Sequence, residues 1–158
     1  MTAPARLVVL CGLPGSGKTT VAKELEATTG GVRMCPDEWM TALGIDLWDE
    51  TARARIEALQ WVRTQDLLAH GRTVVLEWGV WHRHERDTLR ERARALGVAV
   101  ELRYLDVPVE ELVRRVRARY ADRPGATVDI TEAHLREWAT MIEVPDADER
   151  ARFDPPLA

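Results

Sequence analysis

Within the stretch GLPGSGKTT, residues Gly12, Gly17, Lys18 and Thr19 fall into the spacing Gly-x-x-x-x-Gly-Lys-Thr. Glycines let the backbone wrap so that several N–H groups converge on one anion. A helix starting after Gly17 would add the positive end of its dipole. Lys18 supplies a point charge for the β and γ positions of a polyphosphate, and the Thr19 hydroxyl is a hard oxygen donor for Mg²⁺. The expected phosphate cradle is therefore Gly12, Leu13, Pro14, Gly15, Ser16, Gly17, Lys18, Thr19 and Thr20. Lys18 stands out further because Lys23 is the only other lysine among 22 basic residues.

The elements that must position this cradle can be read from the hydrophobic pattern. RLVVLC (6–11) is a short apolar run that reads as a buried strand, and residues 18–28 follow a helical period stopped by Gly30-Gly31. VRMC (32–35) is a second strand, and Pro36 opens a helix or turn. A long helix is expected over 49–70, with Ile56, Leu59, Val62, Leu67 and Leu68 as its apolar set. Residues 73–76 form a third strand ending at Glu77, 82–96 a charged helix, and 99–107 a fourth strand. Helices over 108–120 and 131–142 follow, the second with Thr131 as N-cap. The tail, with Pro145, Pro155 and Pro156, reads as irregular. Strands alternating with helices imply a parallel sheet with right-handed crossovers in a single domain. A glycine-rich loop between its first strand and helix is the context that a phosphate-binding P-loop requires.

The loop alone does not choose between a switch, an ATPase and a kinase. A kinase needs a base for an acceptor hydroxyl near the transferred phosphoryl group, and in a parallel sheet such groups come from the carboxyl ends of strands. Asp37 follows the second strand and is the candidate base, a candidate for the Mg²⁺ shell, or an N-cap. Glu77 ends the third strand, where an acid could act on the Mg²⁺ shell or face the acceptor. Arg115 and Arg119 share one face of the helix over 108–120, and Arg123 follows in a loop. Together they form a candidate lid that would stabilise the phosphoryl group and exclude water.

The bulk numbers narrow the partners. The 158 residues are 46% hydrophobic and carry a net charge of −4, which gives no general attraction to nucleic acid or anionic membrane. Nothing approaches the ~20 consecutive apolar residues of a membrane helix, and residues 7–10 are too short for a secretory h-region. A cytoplasmic protein is the expectation. Cys11 and Cys35 are expected as buried thiols rather than a disulfide. Six tryptophans against one phenylalanine and two tyrosines is an unusual balance. Trp39, Trp48, Trp78 and Trp81 cluster in sequence around the acceptor side, where their rings could stack on a sugar or base or hold a cation. Trp61 and Trp138, on helices, are expected to pack. His82 and His84 read as the polar start of a helix.

With these residues in place, the chain resembles the small kinases grouped as the AAA_33-type ATP-binding domain. Their relatives include the 5′-kinase domain of polynucleotide kinase, chloramphenicol phosphotransferase and the zeta toxins. The resemblance rests on GLPGSGKTT, on Asp37 after the second strand, on LDVPVEELVRRVRAR (105–119) and on MIEVPDADE (141–149). It implies an α/β P-loop NTPase fold, with an adenylate-kinase-like parallel sheet of four to five strands flanked by helices and an Arg-bearing lid. It also implies ATP and Mg²⁺ as cofactors, Asp37 as the acid that activates the acceptor hydroxyl, and Arg115 and Arg119 as lid arginines. Arg86 matches a recurring basic position. Met40 stands where polynucleotide kinases carry arginine, and Glu77-Trp78-Gly79-Val80-Trp81 replaces their Asp and Thr-Asn. The implied reaction is ATP-dependent phosphoryl transfer to a small-molecule hydroxyl, with Trp39, Glu77, Trp78, Trp81 and Arg86 on the acceptor side. A 5′-hydroxyl polynucleotide kinase and a nucleotide-dependent switch are the alternatives.

Overall fold

The computed structural model describes residues 4–122 and 129–156. Its centre is β1 (Arg6–Cys11), all six residues of which are buried. Together with β2 (Val32–Met34), β3 (Val74–Gly79) and β4 (Ala99–Tyr104) it forms one parallel sheet in the order β2-β3-β1-β4. A strand covered on both faces needs apolar residues at every position rather than alternation, which is why RLVVLC and VVL read as continuous runs. Four strands lie among the described residues, the lower end of the expected four to five.

The crossovers are α1 (Lys18–Thr29), α2 (Pro36–Ala42) with α3 (Glu50–Ala69), and α4 (Arg83–Ala95). After β4 come α5 (Val109–Ala121), α6 (Glu132–Met141) and the short α7 (Ala147–Arg150). Thr131 caps α6 as expected, its hydroxyl accepting from the His134 N–H. Two further expectations need correcting. In α3 the buried face is Ile56, Gln60, Trp61, Thr64 and Leu68, whereas Leu59 and Val62 are 60% and 65% exposed. The inward row steps by four residues through a glutamine and a threonine, so the apolar period was out of phase with the core. The tail is also not wholly irregular. Asp146 caps α7 by accepting from the Glu149 N–H at 2.7 Å, and Asp154 donates its backbone N–H to the Val100 carbonyl of β4 while its carboxylate accepts from the Val100 N–H.

α5 lies against the loop after β1. Leu112, Val113 and Val116 pack with Leu13 and Leu135. A side chain at Gly15 would approach the Val116 methyl to 3.1 Å, so glycine there permits the close packing of α5. Cys11 and Cys35 are buried free thiols. No described helix is long and apolar enough to cross a membrane.

Candidate active site

The loop between β1 and α1 is built by backbone geometry. Gly15 and Gly17 have φ of 82° and 96°, in the left-handed region that glycine reaches without penalty. Gly17 is also the N-cap of α1, so the helix N-terminus opens into the loop. A Cβ at Gly12 would stand 2.6 Å from the Ser16 hydroxyl, and that buried hydroxyl has no partner among the described residues. A buried orphan oxygen, a helix N-terminus and a lysine gathered in one turn fit a phosphate group. Lys18 Nζ donates to the carbonyls of Gly12 and Leu13 at 2.9 and 3.0 Å, folding back over the loop. Burial pulls its pKa down to about 8, against the opposing pull of Glu77 and Asp37. Leu13 is a core residue that pins the loop to α5, Pro14 borders the cavity described below, and Thr20 is exposed on α1.

Thr19 and Glu77 are brought together across α1 and β3. The Thr19 hydroxyl donates to Glu77 Oε1, while Arg33 Nη1 donates to Glu77 Oε2 at 2.8 Å. Glu77 is buried, and this ion pair with Arg33 stabilises its charge. A hydroxyl and a carboxylate beside a phosphate cradle make an oxygen donor set that suits a hard divalent cation. Asp37 is engaged differently. It lies in the first turn of α2, 59% exposed at the side chain, and accepts from Arg53 Nη2 on α3 at 2.5 Å. It is not the α2 cap, which is Cys35.

One cavity of about 380 Å³ joins the two halves. Its wall includes Lys18, Asp37, Glu77, Trp78 and Trp81. Trp81 donates from Nε1 to the Gly12 carbonyl at 3.2 Å, and Trp78 from Nε1 to Gln60 Oε1 at 2.8 Å. Trp48 and Trp138 also line it, with ring centroids 6.1 Å apart, and Trp138 lies 5.7 Å from Trp81. Trp138 is thus a wall residue rather than simple packing. Its signal was a tryptophan in the segment after the lid helix, but only the sheet-end geometry brings it across to Trp81.

Two expected acceptor contacts are corrected. Trp39 packs against the sheet's core cluster and is not in the cavity wall, because the α2 turn that sends Asp37 outward sends Trp39 inward. Arg86 is fully buried. Its Nε and Nη2 grip Glu149 at 2.5 and 3.0 Å, and Nη1 donates to the carbonyls of Val80 and Trp81 at 3.1 and 3.0 Å. Val80 has a φ of 27°, an uncommon conformation for a β-branched residue. Arg86 therefore fastens the strained turn that carries Trp81 and is not in the cavity wall. Neither Arg53 nor Glu57 was in the expected set. Glu57 lines the cavity from α3, and burial pushes its pKa up to about 7, with Arg53 opposing and Glu85, Glu50 and Asp37 adding to the rise.

Of the arginines expected to form a lid, Arg115 reaches the loop. Its Nη1 donates to the Gly15 carbonyl at 3.2 Å while Nε is held by Glu111 at 2.8 Å. Arg119, one turn on, is exposed. Arg123 lies outside the described residues.

The sequence profile of AAA_33, an AAA domain, matches residues 7–145. The chain belongs to the AAA_33 family. The fold of this AAA_33 protein is that of P-loop kinases. A chain of the Pnkp1/Rnl/Hen1 RNA repair complex superposes with a TM-score of 0.73 at 22% identity, covering 98% of this chain and 48% of that one. This AAA_33 chain thus spans about half the length of that relative. Chaetomium thermophilum Kti12 in complex with ADP-AlF3 gives 0.70 at 20% identity, covering 94% and 86%. A gluconokinase from Sinorhizobium meliloti 1021 gives 0.59 at 22%, covering 94% and 80%. Among curated proteins none matches this sequence.

Proposed function

We propose that this AAA_33 protein is an ATP-dependent phosphotransferase that moves the γ-phosphoryl group to a hydroxyl of a small molecule. The observation that carries the reading is that Lys18 and Asp37 line the same cavity, with the rings of Trp78 and Trp81 beside them. A switch has no use for a carboxylate and an aromatic chamber facing the loop lysine. A kinase needs both.

In this reading the loop N–H groups and Lys18 hold the β and γ phosphates of ATP. Arg115 releases the Gly15 carbonyl and turns to the phosphoryl oxygens. Arg119 and Arg123 are proposed to complete the lid on nucleotide binding and exclude water. Arg53 holds the Asp37 carboxylate in place. As the acceptor oxygen forms its bond to the γ-phosphorus, its proton passes to Asp37 and the bond from that phosphorus to the β–γ bridging oxygen breaks, leaving ADP. Mg²⁺, when bound, would neutralise charge on the phosphate oxygens, with Thr19 as its protein ligand and Glu77 behind it. The earlier expectation of Asp37 in the metal shell is replaced by Glu77, because Asp37 is committed to Arg53 while Glu77 already meets Thr19.

The experiment is incubation of γ-labelled ATP and Mg²⁺ with the protein and a mixture of hydroxyl compounds. Label on an organic acceptor is the expected result. Label appearing only as inorganic phosphate, at the same rate with and without the compounds, would identify an ATPase or switch instead.

A further inference from the structure

We infer that the acceptor is a cationic amino alcohol, a hydroxyl compound carrying one or more protonated amines, held between tryptophan faces and the carboxylate of Glu57. This rests on the phosphotransferase reading and names the substrate class of that site.

The argument begins with charge. The cavity wall contains two fixed cations, Lys18 and Arg53, and five carboxylates, Asp37, Glu50, Glu57, Glu77 and Glu85. Lys18 belongs to the phosphates. Arg53 is engaged by Asp37, and Glu77 by Arg33, which stands outside the wall. Glu50, Glu57 and Glu85 are left. Two of these have ordinary structural reasons. Glu50 lies in the first turn of α3 and Glu85 in the first turn of α4, where a negative charge favours the helix dipole, and Glu85 also accepts from the His82 N–H at 2.9 Å. Glu57 has no such reason. It lies two turns into α3, on the same face as Glu50, in the space between α3 and α4. Burial and three neighbouring acids disfavour its charge against the opposing pull of Arg53, which is engaged by Asp37, and no ion pair to Glu57 is made among the described residues.

The tryptophans supply the second, independent observation. Trp81 and Trp78 have given their indole N–H groups to Gly12 and Gln60. They therefore offer ring surface to the cavity rather than hydrogen-bond donors. Trp48 and Trp138 continue that surface. Aromatic faces backed by unneutralised carboxylates attract a cation on both counts, since the ring quadrupole and the formal charge have the same sign. The same wall repels a carboxylate, a sulfate ester or a polynucleotide. An RNA end would bring its charge against Glu50, Glu57 and Glu85 in that wall.

The test is binding of shape-matched pairs that differ in charge to the full chain with ADP and Mg²⁺ present, followed by tryptophan fluorescence and calorimetry. The probes are glucosamine against glucose, choline against its neutral carbon isostere 3,3-dimethylbutan-1-ol, kanamycin, gluconate, and a 5′-hydroxyl oligoribonucleotide. The cationic member of each pair should bind at least about tenfold more tightly than the neutral one. Glu57→Gln should shrink that ratio several-fold by weakening the cationic member more than the neutral one. Trp48→Leu, at an exposed position, should weaken the cations without disturbing the fold. Equal affinity within the pairs, preference for gluconate or the oligonucleotide, or no binding of any amine at millimolar concentration would overturn the inference. Phosphoryl transfer separates the two levels. Transfer to a neutral or anionic acceptor defeats the cationic assignment and leaves the kinase standing. Amine binding with no transfer to any bound compound defeats the kinase and leaves the cation site standing.

Discussion

Arg53 on α3 reaches across to Asp37 on α2 and holds one carboxylate oxygen at 2.5 Å. The pair is partly exposed, with side-chain exposures of 23% and 59%, so its contribution to stability is small, under about 1 kcal/mol. In the proposed transfer its value lies in aiming Asp37 at the acceptor hydroxyl. Arg53→Ala should therefore leave the melting temperature nearly unchanged and lower kcat by about tenfold to a hundredfold, with the ATP KM within about twofold. Arg53→Lys should restore part of kcat. An unchanged kcat in Arg53→Ala would remove the positioning role.

Lys18 gives a pH dependence with a definite sign. Its pKa in the free protein is pulled down to about 8 by burial. Triphosphate beside the ammonium must raise it. Nucleotide affinity is then fully present below about pH 8 and falls as pH rises above that value. Binding just above pH 8 should take up protons, seen as a calorimetric heat that scales with the ionisation heat of the buffer. No buffer dependence would mean that the lysine is already charged.

Glu57 makes a prediction about stability alone. Its pKa is raised from 4.5 to about 7 on folding, so the unfolded chain ionises first and the folded state is penalised as pH rises between those values. Glu57→Gln should raise the melting temperature above pH 7, by a margin that shrinks through that window and vanishes below about pH 4.5. Thermal melts across the range check it. A stabilisation that is the same at both ends would show that packing, not charge, is responsible.

Arg86 and Glu149 form a fully buried bidentate pair at 0% and 1% exposure. Removing one partner strands the other's charge, so Arg86→Met should cost about 3–5 kcal/mol in chemical denaturation. Arg86→Met with Glu149→Leu should recover much of that loss, since an apolar pair avoids the desolvation cost. Acceptor KM should remain raised in the double variant, because the Val80 and Trp81 carbonyls have lost their donor. An acceptor KM restored along with stability would mean that the pair supports the fold only.

The phosphate loop, the parallel sheet and the position of Asp37 were legible because each depends on local chemistry: glycine spacing, apolar runs and the residue after a strand. The buried face of α3 was not, since Gln60 is there to receive Trp78 and Thr64 continues the same row. A tertiary hydrogen bond leaves no periodic trace. Arg86 looked like an acceptor contact because it matches a basic position that recurs in the kinases the sequence resembles. Its partner, Glu149, is 63 positions away on a helix that the proline-bearing tail concealed. Trp39 was grouped with Trp78 and Trp81 by sequence proximity to Asp37, but helical residues two apart point about 200° from each other, to opposite sides. Arg53 lies 16 positions from Asp37 and had no motif to announce it.

The most direct measurement is single-turnover phosphoryl transfer by Asp37→Asn set beside its ATP dissociation constant. General-base removal should slow transfer by about 10²–10⁴-fold while the ATP dissociation constant stays within about threefold. Transfer at the wild-type rate would contradict Asp37 as the base, and with it the account of this cavity as a two-substrate site.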